Sequence, residues 1–153
     1  MTALALPKTF LVPVDFSTAS ERALDHAILL AQKLDAKIVV LHSYELPVIG
    51  LMESTFVLPA EVAAQLQDAS SKGLAALVAR KKASFPRIEG VLHEGEPSAM
   101  ILKTATETGA DTIVMGTHGR RGLSRALLGS VTEKIVRSSP VPVLTVRGDD
   151  GKT

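Results

Sequence analysis

Five short runs of β-branched and aliphatic residues, separated by stretches with helical spacing, constrain the fold more than any other feature of the chain. They are Thr9–Val14 (TFLVPV), Lys37–Ser43 (KIVVLHS), Arg87–His93, Asp111–Gly116 (DTIVMG) and Val141–Val146 (VPVLTV). Most lack the apolar–polar alternation of a half-solvated strand, so they read as strands covered on both faces. Between the first two, Ala23, Leu24, Ala27, Ile28, Ala31 and Leu34 recur at helical spacing behind a Thr18–Glu21 capping box. A second helix runs from Pro59 to about Ala83, its faces outlined by Val62, Leu66, Ala69, Leu77 and Arg80. Gly73 weakens that helix by about 1 kcal/mol relative to alanine. A third helix, Ser98–Thr108, follows a Gly95-Glu96-Pro97 turn and stops at Gly109, and a fourth spans Ser130–Ser138. The order βαβαβαβαβ predicts the α/β class, an open five-stranded parallel sheet with helices on both faces and right-handed crossovers. Arg87–His93 is the most polar run and Val141–Val146 contains Pro142, so both are expected at edges. Tyr44–Leu58, with Pro47 and Gly50 among apolar residues, reads as a long, partly ordered loop of functional or mobile character.

With 153 residues, no repeat and no linker, the chain is expected to form a single domain over residues 1–153. Four Phe, one Tyr and no Trp leave the core to Ala, Val, Leu and Ile and make a base-stacking platform for single-stranded nucleic acid unexpected. A net charge of +1 gives no bulk attraction to nucleic acid or to a membrane. The absence of cysteine removes disulfides, thiolate metal sites and cysteine nucleophiles. No apolar run approaches the ~20 residues of a membrane span, and no signal-peptide succession opens the chain, so the expected location is the cytoplasm.

Glycines spaced G-x2-G-x9-G follow the fourth run: Gly116, Gly119 and Gly129, closed by Ser130. Glycine lets main-chain N–H groups approach an anion without an intervening side chain. Arg120, Arg121 and Arg125 lie in the same stretch, which contains no acid. An open parallel sheet binds ligands beyond the carboxyl ends of its strands, where the strand order reverses. In the order 3-2-1-4-5 that point lies between the first and fourth strands. Pro13-Val14-Asp15, Met115-Gly116 and Ser43 then share one rim. Gly119, Gly129 and the N–H groups of Ser130 and Val131 would hold phosphates at a helix start. Ser130 and Thr132 would add hydroxyls, Asp15 would accept from a ribose or adenine edge, the backbone at Ser43 would pair with the base, and Arg120 or Arg121 would screen terminal phosphates.

Each element has a plainer reading. Ser130–Glu133 is also a capping box, Asp15 also a helix cap, the glycines also turn residues, and the arginines also a solvated loop. His42 and His93 fall at strand ends, where they could meet on the rim, with a structural role favoured over a metal site. His118 is the histidine expected beside a ligand. No G-x-x-x-x-G-K-[ST] loop, no G-x-G-x-x-G after the first strand and no G-x-S-x-G elbow occurs.

The glycine pattern after an apolar strand resembles the universal stress protein family in its ATP-binding branch. Phe10–Ser17 (FLVPVDFS) is similar to that family's first strand and Asp turn, Gly95-Glu96-Pro97 to its turn before the third helix, and Ser139–Val146 to its last strand. The resemblance covers about residues 8–147. It implies an adenine nucleotide alpha hydrolase-like sheet and an ATP site, with or without Mg²⁺. By position it implies that Asp15 contacts the nucleoside, that Pro13 and Val14 line the base and that the Ser43 main chain meets adenine. Met115, Gly116, His118 and Gly119 then surround ribose and phosphates, and Gly129, Ser130, Val131 and Thr132 form the phosphate turn. Ser43 departs from the apolar residue expected at its position. The resemblance further implies homodimers paired through Val141–Val146 and a stress-response or signalling role toward a protein partner it does not name. Two alternatives stand beside this switch: a slow ATPase or phosphotransferase, which lacks an assigned base or cradle lysine, and an interaction module that needs no nucleotide. Aminoacyl-tRNA synthetases of class I and ATP pyrophosphatases use similar sheets, but the HIGH, KMSKS and S-G-G-x-D-S motifs are absent.

Overall fold

Residues 5–47, 49–51, 54–56, 58–119 and 128–148 are described by a computed structural model of the chain. Its elements are β1 (Thr9–Pro13), α1 (Thr18–Leu34), β2 (Lys37–Tyr44), β3 (Ile49–Leu51), β4 (Ser54–Phe56), α2 (Ala60–Lys82), β5 (Ile88–Glu94), α3 (Pro97–Thr108), β6 (Thr112–Gly116), α4 (Ser130–Ser138) and β7 (Val143–Val146). The main sheet runs β5-β2-β1-β6-β7 with every pair parallel, which is the 3-2-1-4-5 order expected of its five strands. β1 is paired on both sides, Phe10 with Ile38 and with Thr112, and both edges fall where the polar run and the proline placed them.

Side chains alternate between two cores. Phe10, Val12, Val14, Ile38, Val40 and Val114 pack under α1 and α2 against Leu24, Ile28, Leu74 and Leu77. Leu11, Val39, Leu41, Ile113 and Met115 pack on the other face with Ile101, Ala105 and Ile135 of α3 and α4. Both faces of the central strands are therefore dry, which is why their sequences run apolar without alternating.

Three local expectations are revised and one is refined. The 44–58 stretch is not a plain loop: β2 continues through Tyr44, and Ile49–Leu51 pairs antiparallel with Ser54–Phe56. The α1 cap is Ser17, not Thr18; its Oγ accepts from the Ser20 N–H at 3.2 Å. Of the two faces outlined on α2, Leu77 lies on the inward one, with Ser70 and Leu74, and Val62 is exposed. Pro142 precedes β7 instead of lying within it, and its carbonyl accepts from the Ile113 N–H at 2.9 Å.

Between β1 and α1 the chain turns through Phe16 at φ 63°. For a bulky L-residue that left-handed conformation costs about 1–2 kcal/mol. The Phe16 ring lies 4.3 Å from the His42 ring, centroid to centroid. On α2, a Cβ on Gly73 would come within 3.1 Å of the Phe16 Cζ. Gly73 thus weakens its helix locally but makes room for this ring.

Candidate functional site

β1, β2 and β6 end on one rim of the sheet, and α3 and α4 begin there. Between them lies a cavity of about 690 Å³. Pro13, Val14, Asp15, Ser43, Met115, Gly116, His118, Gly119, Gly129, Ser130, Val131 and Thr132 all line it, so twelve sequence-selected residues are brought together. Arg120, with Arg121 and Arg125, lies outside the described residues.

Asp15 is fixed by its own turn. Its Oδ1 accepts from the Ser17 N–H at 3.0 Å and from the Ser17 hydroxyl, while its N–H donates to Ser20 Oγ at 3.3 Å. Asp15 is therefore tied to the α1 cap without being the cap itself. Its Oδ2 lies beside Gly119, where a Cβ would approach to 2.5 Å. The carboxylate and the glycine stretch thus meet across the strand-order reversal.

Strand parity sets the direction of the Ser43 backbone groups. Ile38 and Tyr44 bond toward β5, and Lys37 and Leu41 bond toward β1. In a parallel ladder the N–H and C=O of alternate residues face alternate neighbours. Ser43 therefore aims both groups toward β1, beyond Val14, whose N–H already donates to Leu41 at 2.8 Å. The side chain of His42 holds the end of β1. Its Nδ1 lies 2.8 Å from the Val14 carbonyl, which can only accept, so Nδ1 carries the proton.

The Ser130–Glu133 capping box does not form. The α4 N-cap is Gly129, which supplies no side-chain bond, and Ser130 is the first helical residue and is exposed. Among the described residues, no capping side chain stands between the first-turn N–H groups of α4 and the cavity. The positive end of the helix dipole reinforces that opening. Thr132 is 3% exposed and donates its hydroxyl to the Gly116 carbonyl at 2.9 Å. That proton is committed inside the fold, which corrects the expectation of a phosphate-bonding Thr132 hydroxyl. Gly116 has its own packing reason: a Cβ there would lie 3.2 Å from the Ala19 backbone. The Gly129 N–H donates to the Thr117 carbonyl at 2.8 Å and ties the start of α4 to the end of β6.

Sequence reasoning missed Ser20, Leu41, Glu45, Glu96, Pro97 and Ile101, which also line the cavity. Glu96 was legible as the residue before a helix-starting proline, which places it at the carboxyl end of β5. It caps α3, accepting from the Ser98 N–H at 3.1 Å, the Ala99 N–H at 2.8 Å and the Ser98 hydroxyl, and Lys134 of α4 lies 3.4 Å away. The Ser98 hydroxyl first, then these N–H groups and Lys134, outweigh burial and hold the Glu96 carboxyl at about 2. His42 and His93 do not meet. His42 stacks on Phe16, whereas His93 sits one register step further on and faces Glu107 at 3.5 Å.

The sequence matches the Universal stress protein family over residues 7–147. Universal stress protein MJ0531 of Methanocaldococcus jannaschii is 33% identical over 144 residues, covering 93% of this chain and 83% of that protein. Universal stress protein UspA from Lactobacillus plantarum superposes with a TM-score of 0.78 at 26% identity, covering 94% of this chain and all of the other. A universal stress protein solved in complex with cAMP superposes with a TM-score of 0.67 at 28% identity, covering 94% of this chain and 99% of that one. Profile, sequence relatives and fold agree, and the chain belongs to the universal stress protein family.

Proposed function

We propose that the chain binds ATP or a related adenine nucleotide in this cavity, with or without Mg²⁺. In this reading it acts in the cytoplasm as a homodimeric, nucleotide-dependent switch in stress response or signalling, with its 153 residues as one nucleotide-binding domain. The observation that carries the reading is the α4 N-terminus, capped only by Gly129, opening onto the same cavity as Asp15 and the outward-turned backbone of Ser43. The first-turn N–H groups of Ser130 and Val131 suit phosphate. Asp15 Oδ2 suits a ribose hydroxyl. The Ser43 N–H and C=O offer the donor–acceptor pair that an adenine edge complements, with Pro13, Val14 and Met115 as apolar walls. Gly119 and His118 flank the ribose and phosphates, and Arg120 is assigned the screening of the terminal phosphates. The cAMP complex of a 28% identical relative supports an adenine nucleotide as the ligand class.

Calorimetric titration with ATP, ADP, AMP and cAMP, with and without Mg²⁺ and with GTP as control, tests the reading. Adenine nucleotides bind and Gly129→Val abolishes the heat. A flat titration for every adenine nucleotide at millimolar concentration defeats it.

The edge strand β7 supplies the dimer contact in this reading. Pro142 and Val146 bond toward β6, so Val143 and Thr145 turn their N–H groups to the open edge. Leu144 is 40% exposed beside them. Two such edges pair antiparallel about a two-fold axis. The nucleotide state then selects the surface shown to a protein partner.

A further inference from the structure

We infer that Phe16 is a positioning residue of the site and that its ring couples α2 to nucleotide binding; the inference rests on the adenine-nucleotide reading above. Phe16 occupies a backbone conformation, φ 63°, that glycine would adopt without strain. A bulky residue persists there only when its surroundings over-determine it, and such outliers gather at functional sites. The surroundings are specific. One neighbour of the ring is His42, 4.3 Å away and itself bonded to the Val14 carbonyl. Another is the Cα of Gly73, where even a methyl group would crowd the ring at 3.1 Å.

Phe16 sits between two residues that build the site. Before it, Asp15 lines the cavity and lies against Gly119. After it, Ser17 holds the Asp15 carboxylate through its N–H and hydroxyl while capping α1. Fixing the ring therefore fixes the peptide planes on both sides, and with them the direction of the Asp15 carboxylate. The same ring touches α2 on the far side of the turn. Displacement of α2 at Gly73 moves Asp15, and seating a nucleotide on Asp15 restrains α2. By linkage the coupling runs equally in both directions.

Phe16→Gly, Gly73→Ala and the double variant Gly73→Ala/Phe16→Leu separate this role from a merely local turn. ATP affinity is measured by calorimetry, and thermal melting checks the fold. Hydrogen exchange at the Ser17 amide reads the Asp15–Ser17 bond without ligand. A turn that needs only its backbone shape keeps or improves affinity with glycine at position 16. Positioning by the ring predicts at least tenfold weaker ATP binding for Phe16→Gly, with faster Ser17 exchange. Gly73→Ala replaces a helical glycine by the best helix former, so its melting temperature holds or rises while affinity falls about threefold to tenfold; the smaller leucine side chain restores it. Wild-type affinity in both Phe16→Gly and Gly73→Ala overturns the inference and leaves the nucleotide reading standing. Failure of the wild type to bind any adenine nucleotide overturns both.

Discussion

A methyl group at Gly119 would sit 2.5 Å from Asp15 Oδ2, on a side chain whose other oxygen is already held by Ser17. Gly119→Ala must therefore move the carboxylate or the loop, an overpacking cost of about 1–3 kcal/mol. Thermal denaturation will show that loss, and calorimetry will show weakened ATP binding with it. Thr132→Val tests the neighbouring bond. It leaves the Gly116 carbonyl without its buried donor, so the expected loss is about 1–3 kcal/mol in chemical denaturation. Part of the rim was legible from residue type: a carboxylate at a strand end, and glycines where backbone or side-chain atoms approach closely. What each touches was not legible. The partner of Thr132 lies 16 residues away at Gly116, and sequence spacing carries no record of which lone pair is already occupied.

Capping decides much at the scale of single elements. Glu96 accepts from two N–H groups at the start of α3, so Glu96→Ala is expected to cost about 1 kcal/mol at neutral pH. Its folded value of about 2 lies below the usual 4.5, so its contribution is complete above pH 4.5 and is lost as the pH falls toward 2. Urea denaturation of wild type and variant across that window will show their stabilities converging as acid is added. At the opposite edge of the sheet, Thr145→Pro removes an N–H that points away from β6, so the fold survives while the proposed β7 dimer is lost. Light scattering will register a monomer, and an unchanged dimer mass would exclude β7 pairing. Helices were readable from their period, and the long strands from apolar runs without one. The pairing of Ile49–Leu51 with Ser54–Phe56 was not, since three residues are too few to make such a run. The cap positions slipped because Ser17 and Thr18 are both good caps, and Gly129 takes the place for which Ser130 looked better suited.

The whole sheet was the most legible level, because burial on both faces leaves an apolar signature that only parallel strands between helices explain. Its consequence for stability is global. A nucleotide that binds only the folded state at a hundred times its dissociation constant adds about 2.7 kcal/mol. Differential scanning fluorimetry with ATP should show a concentration-dependent rise in melting temperature, and Phe16→Gly should need more ATP for the same rise. The bond from the Gly129 N–H to the Thr117 carbonyl has a practical consequence as well. It ties the start of α4 to the end of β6. Gly129 has φ −59°, which proline also adopts, but proline has no N–H to donate. Gly129→Pro therefore unties α4 from the sheet without straining the backbone, and thermal denaturation will show the loss.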